Sequence, residues 1–157
     1  MKKVGESINT SIKVKIQENL LIPLKEILTK EYNIFYFYPK DETPGCTVEA
    51  CEFRDANDMI ISSGANLFGV SKDSVKSHND FKLKYKLNFE LLSDEDLVLN
   101  NEFGALVEKS MYGKTYMGTQ RSTFIIDNTG KILFVWEKVT PNGHSFEVLA
   151  ELSKLKL

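Results

Sequence analysis

Apolar residues along this chain fall into alternating and continuous blocks, and the two kinds predict different elements. Ile12, Val14 and Ile16 alternate with Lys13 and Lys15, the period of a half-buried strand. Asn33 to Tyr38, NIFYFY, is a continuous aromatic and aliphatic run stopped by Pro39, which predicts a central strand buried on both faces. Ala65 to Ser71, ANLFGVS, predicts a second core strand, and Phe89 to Asp94 a shorter third. Near the end, RSTFIID and KILFVWEK flank Asn128-Thr129-Gly130, the signal of a hairpin.

Helical blocks lie between these strands. Leu24 to Glu31 predicts a short helix. Thr43 as N-cap and Pro44 at the first position open a long one that runs to about Ser63, with Gly64 at its end. Asp73 to Tyr85 is amphipathic, with Val75, Phe81 and Tyr85 on its apolar side. Glu95 to Phe103 predicts a short helix before Gly104, and Gly143 to Leu152 a last one. From Asn33 onward the order is β-α-β-α-β-(α)-β-β-α. That is an α/β fold, a central mixed β-sheet flanked by α-helices in the thioredoxin-like arrangement. No repeat or linker interrupts it, so residues 1–157 are read as a single domain.

Composition narrows the function by exclusion. At 42% hydrophobic and 27% charged residues the chain is an ordinary globular one. A formal net charge of -2 gives no basic field for nucleic acid or an anionic membrane. The apolar runs are far shorter than the roughly 18 residues of a membrane span, and no apolar stretch follows Met1-Lys2-Lys3 as in a signal peptide. The expected location is cytoplasmic, where paired thiols point to catalysis, redox sensing or metal rather than to a permanent disulfide.

The two cysteines are Cys46 and Cys51, in the segment TPGCTVEACEFRD from Thr43 to Asp55. Their spacing is too wide for a C-x-x-C redox box. Neither it nor the histidines, His78 and His144, follow zinc-ligand spacing, so no metal is expected. On a helical wheel Ala50, Phe53 and Ile60 fall within roughly 40° of Cys46, whereas Cys51 lies roughly 140° away. In an intact helix their Cα atoms would be about 8.6 Å apart, beyond the reach of about 7 Å that a disulfide allows. The thiols are therefore either inert, or they react in sequence with local unwinding as part of the cycle.

The setting of Cys46 favours reaction. It occupies the first helical turn, where free N–H groups and the helix dipole stabilise a thiolate. Gly45 allows close approach to the backbone, and the Thr43 hydroxyl can cap the helix and bond to an oxygen near the sulfur. Cys51, a turn deeper, lacks these advantages and is placed second. No general base stands beside Cys46 in the sequence. A thiolate poised without a base suits attack on a peroxide, with sulfenic acid as the product. Glu49 and Arg54 are read chiefly as partners for other charges, His78 as a solvated or capping residue, and His144 as the start of the last helix.

At this point the residues resemble a known family. YFYPKDETPGCTVEACEFRD, Tyr36 to Asp55, is similar to the active-site segment of peroxiredoxins, most of all the Q-type or bacterioferritin-comigratory-protein subgroup. Pro39, Thr43 and Cys46 meet its P-x-x-x-T-x-x-C motif, and Cys51 its resolving position. The likeness continues through GVSKDSVKSHNDF, FELLSDED, GKTYMGTQRSTFIID and GHSFEVL. It implies that Cys46 is the peroxidatic cysteine, that Thr43 donates to the peroxide, and that Pro39 shields the pocket. It also implies that Arg121 brings a guanidinium to the thiolate. Cys51 would then form an intramolecular disulfide, reduced by thioredoxin or a glutathione-linked system, with no cofactor and with a monomer or weak homodimer as the working form. The alternative is a redox sensor or chaperone-like binding module switched by the same disulfide. Three departures from the family pattern stand out. GESINT replaces the usual N-terminal G-x-x-A-P-x-F, Ala105-Leu106 replaces Val-Trp, and Tyr32-Asn33 opens the first core strand, which predicts a shorter strand.

Overall fold

A computed structural model describes all 157 residues. Its centre is a five-stranded mixed sheet with strand order β5-β4-β3-β8-β9. The strands are β3 (Tyr32–Phe37), β4 (Ala65–Ser71), β5 (Glu90–Ser93), β8 (Ser122–Ile126) and β9 (Ile132–Trp136). Strand β3 pairs parallel with β4 and antiparallel with β8, so every residue of it is buried. The expected central position of this run holds. The expected shortening does not, because Asn33 sits inside the strand with its amide satisfied by Lys30 O and by Asn66.

The period of two along β3 divides the core. Tyr32, Ile34, Tyr36 and Tyr38 face one layer, with Phe53, Ile60, Phe81, Val148 and Leu152. Phe35 and Phe37 face the other, with Val14, Leu24, Leu99 and Phe103. The first layer is covered by α1 (Pro44–Ser62), α2 (Val75–Tyr85) and α4 (His144–Leu155), and the second chiefly by the N-terminal segment and α3 (Val98–Phe103). Helices α1 and α2 carry the chain between parallel strands, and each begins at a strand's carboxyl end, where α/β sheets place their chemistry.

Two hairpins complete the fold, and of their four strands only the first was anticipated, from the alternation of Ile12, Val14 and Ile16. The first, β1 (Lys13–Gln17) with β2 (Leu20–Pro23), forms a separate two-stranded sheet. The second, β6 (Leu106–Met111) with β7 (Lys114–Thr119), forms another. The three unanticipated strands lack clean alternation, and Tyr112-Gly113 turns the second hairpin with both residues at positive φ. The helix expected over Leu24 to Glu31 shrinks to a 3-10 turn, Leu24–Glu26. Leu24 and Lys25 donate their amides back to Ile12 and Thr10, which fixes that turn against the first strand instead of extending it. GESINT also finds a place: Gly5 and Ile8 donate to Ile132 O and Gly130 O, and Ser7 bridges to Lys131 on the edge of the sheet. No helix is long and apolar enough to cross a membrane.

Candidate active site

The loop after β3 leads into α1, and the first turn of α1 carries Cys46. Helix α1 is continuous from Pro44 to Ser62, and both cysteines are free thiols. Cys46 is 1% exposed and shares the inner face with Glu49, Ala50, Phe53 and Ile60, as the wheel predicts for the apolar residues. Phe53 stacks on Tyr36 with ring centroids 4.7 Å apart, anchoring that face to the sheet. Burial of one such aromatic is worth about 2–3 kcal/mol. Cys51 is only partly buried and lies outside that face.

Arg121 begins the last hairpin of the sheet, just before β8. Its Nη2 donates to Cys46 Sγ at 3.3 Å, and its Nη1 donates to Glu49 Oε1 at 2.7 Å. The two residues are 75 positions apart and meet only because β8 lies beside β3. Gly45 makes room for this contact: a Cβ there would lie 3.2 Å from Arg121 Nη2 and 3.4 Å from Pro141 Cγ. The space over Gly45 is thus taken by the guanidinium itself. Burial opposes the charge on Arg121, but Glu49 and the Cys46 sulfur outweigh it and hold the guanidinium above its ordinary value. The cation therefore stays fixed beside the sulfur, where it faces any charge that develops on a bound oxygen.

Glu49 belongs to this site, a place the sequence reading granted it only as a charge partner. Its side chain is 1% exposed. Burial pushes its carboxyl up to about 7 against the pull of Arg121, and its second oxygen, Oε2, meets no donor. The signal was present in the spacing: Glu49 is three residues after Cys46 and four before Phe53, which puts it on their face.

Thr43 takes the N-cap position with extended backbone, but its side chain does not cap the helix. Its hydroxyl donates to Lys40 O at 2.9 Å instead. The oxygen lone pairs of Thr43 are left for a partner with a proton to give. No other side chain caps the first turn, so its N–H groups stay available to the sulfur and to what binds it. Pro39 is half-buried at the start of the loop.

Cys51 has a different neighbour. Arg54 Nη1 lies 3.7 Å from Cys51 Sγ and donates to Tyr85 O at 2.7 Å. Asn57 and Asn88 extend this clamp: Asn57 Nδ2 donates to Asn88 O, and Asn88 Nδ2 donates to Arg54 O.

The histidines divide: His78 departs from the solvated or capping place expected of it, and His144 starts the last helix as expected. His78 is 2% exposed, because Val75, His78 and Phe81 share one face of α2 at spacings of three. His144 does start α4, yet it is fully buried, with Nε2 against Thr123 Oγ1 at 2.8 Å and its ring edge-on to Phe53 and Trp136. Burial lowers its tendency to hold a second proton.

A first-turn cysteine with a fixed cation at its sulfur, on a thioredoxin-like sheet, defines a thiol-dependent oxidoreductase. Comparison narrows the class. A family model described as the AhpC/TSA family matches residues 6–135. The putative peroxiredoxin bcp of Coxiella burnetii is 47% identical over 135 residues, covering 86% of this chain and 89% of that protein. PrxQ of Xylella fastidiosa superposes with a TM-score of 0.92 at 34% identity, covering 100% of this chain and 99% of that one. The bacterioferritin comigratory protein of Xanthomonas campestris, solved in work on its alkyl peroxide reduction activity, gives 0.89 at 35% identity, with 99% and 100% covered. This chain belongs to the AhpC/TSA family, among its peroxiredoxins of the Bcp, or Q, type.

Proposed function

We propose that this chain reduces hydrogen peroxide and organic hydroperoxides through Cys46. The observation that carries the reading is Arg121 Nη2 at 3.3 Å from Cys46 Sγ in the first turn of α1. The thiolate attacks the terminal peroxide oxygen and a sulfur–oxygen bond forms. The O–O bond breaks, and its electron pair leaves with the alkoxide or hydroxide, which takes up a proton. Arg121 and the first-turn amides stabilise the charge as it moves. Because the Thr43 hydroxyl gives its hydrogen to Lys40 O, it accepts the peroxide O–H and so aims the O–O bond. This revises the donor role implied by the resemblance. Pro39, half-buried at the loop entrance, screens the sulfenic acid from solvent.

The second step joins Cys51 to Cys46 and releases water. The sulfurs lie on different faces of an intact helix, so the first turns of α1 open to let them meet. Arg121 reaches Cys46 from 75 positions away, which supports a single catalytic domain over residues 1–157; it works as a monomer or weak homodimer in the cytoplasm. The reductant is an external dithiol, thioredoxin or a glutathione-linked system. The names of the relatives, and the alkyl peroxide reduction described for one of them, favour catalysis over a sensor or binding module.

The test uses wild type, Cys46→Ser and Cys51→Ser, each given one equivalent of hydrogen peroxide and a sulfenic-acid trap, followed by intact mass. Expected are an internal disulfide in wild type, no reaction in Cys46→Ser, and trapped sulfenic acid in Cys51→Ser. Rapid sulfenic acid at Cys51 in the Cys46→Ser protein overturns the assignment. NADPH consumption with thioredoxin and its reductase then measures turnover; stoichiometric oxidation without turnover would favour the sensor.

A further inference from the structure

The loop that presents Thr43 is held by a buried polar network that the reaction, as described above, does not use. Asp41 is the centre of it. Its side chain is 4% exposed, and its carboxylate accepts three hydrogen bonds: from Tyr38 Oη at 2.6 Å, Ser77 Oγ at 2.8 Å and His78 Nδ1 at 2.8 Å. His78 Nε2 faces Leu92 O at 3.1 Å. Each ring nitrogen thus has an oxygen partner, which fixes the ring between the loop and β5. The Asp41 amide donates to Asp73 Oδ2 at 2.8 Å, which also accepts from Ser71 Oγ at 2.7 Å. One loop residue is thereby bolted to the ends of β3 and β4, to α2, and through His78 to β5.

Asp41, Asp73 and His78 come close enough together to suggest a cation site. Their facing atoms, however, are already engaged with protons of the protein, so the cluster is a hydrogen-bonded lock. What the lock holds is visible in the backbone. Glu42, next in sequence, is a non-glycine residue at φ 61, in the left-handed region. Thr43 follows at φ -74 and ψ 153, and α1 begins. A side chain keeps such a conformation only where its surroundings impose it. Asp41 on one side, α1 on the other, and Lys84 of α2, whose Nζ donates to Glu42 Oε1 at 2.8 Å, are those surroundings.

We propose that the Asp41–His78 pair is a positioning device for the peroxide site. By fixing Asp41 it keeps Glu42 left-handed, which sets the Thr43 hydroxyl and the first turn of α1 in the geometry that meets peroxide. The same restraint opposes the opening of α1 that lets Cys51 reach Cys46. The pair therefore speeds the first step and slows the second. This inference rests on the peroxidase reading above, and its signature is a change of opposite sign in two rates.

The experiment mixes reduced protein with one equivalent of hydrogen peroxide, quenches it over time, and follows sulfenic acid and disulfide by intact mass. Asp41→Asn is expected to slow sulfenic acid formation at least tenfold and to speed its conversion to disulfide. Glu42→Gly in the Asp41→Asn background is expected to restore much of the first rate, because glycine holds a positive φ without the lock. His78→Phe is expected to act like Asp41→Asn, and Ser77→Ala, which removes one donor, to shift both rates less but in the same directions. Exposed Lys76→Ala on α2 serves as the unchanged control. Equal slowing of both steps without rescue by glycine, or no change in either, overturns the proposal. Should Asp41→Asn not fold, His78→Phe and Ser77→Ala decide by the same criterion. Wild type that fails to consume peroxide overturns the peroxidase reading and this one with it, whereas active wild type with unaltered variants overturns this one alone.

Discussion

The two halves of α1 are held in different ways. From Pro44 to Phe53 the helix has no side-chain cap and no acidic residue in its first turn. Its ties to the rest of the protein run through Arg121, through Gly143 N to Glu52 Oε1 at 2.8 Å, and through Phe53 in the core. From Arg54 to Ser62 it is clamped to α2 and the loop after it by Arg54 to Tyr85 O and by Asn57 with Asn88. Both cysteines lie in the first half. A helix whose reactive end lacks a cap, and whose far end is pinned by polar side chains, can open at one end without losing the other. Arg54 marks the boundary, three residues past Cys51 and in contact with its sulfur.

The largest effects should come from the sulfurs themselves. Cys46→Ser is expected to lower the rate of peroxide consumption roughly 10⁴-fold or more, measured by competition with a peroxide dye. Cys51→Ser should keep the first oxidation and lose turnover driven by dithiol, which separates the roles of two residues on one helix. Next comes the cation. Arg121→Ala is expected to slow the reaction with peroxide by about 10²-fold, the scale of one preorganised donor to developing charge.

A smaller effect sharpens the boundary. Arg54→Ala removes a charged donor from Tyr85 O and is expected to cost about 1–2 kcal/mol in urea unfolding. It should leave the reaction of Cys46 with peroxide within roughly threefold of wild type, since Arg54 touches Cys51 and not Cys46. A large loss in the first step would erase the distinction between the halves.

A comparable effect on stability is in pH. The Glu49 carboxyl holds its proton in the folded protein up to about 7, from an ordinary value of 4.5. Between those values the folded state binds a proton that the unfolded state has released, so stability falls as pH rises across that window. The loss is on the order of 2 kcal/mol and should be absent in Glu49→Gln, read from urea midpoints at pH 5 and pH 7.5.

How much of this was legible beforehand follows from what each feature rests on. The five core strands and α1, α2 and α4 were readable because long runs and periods express burial directly. The cysteine geometry was readable because both thiols lie on one regular element. Arg121 could not be placed by pattern: its meeting with Cys46 depends on β8 pairing with β3, and only the family resemblance pointed to it. Asp41 was invisible between Lys40 and Glu42, where it looks like a surface charge, since its partners lie on α2. His78 and Glu49 carried a signal in their spacing from Phe81 and Cys46, but polarity outweighed it. Strands β2, β6 and β7 escaped because strands with little burial write little periodicity into the chain, whereas β1 was read from Ile12, Val14 and Ile16.

The central claim is that joining Cys46 to Cys51 opens α1 up to Arg54 and no further. Amide hydrogen exchange along α1, compared between reduced protein and protein oxidised with one equivalent of peroxide, tests it most directly. The account predicts that protection disappears over residues 44–53 on oxidation and persists over residues 54–62. Protection that survives over 44–53 with the disulfide formed, or that vanishes along the whole helix, would contradict it.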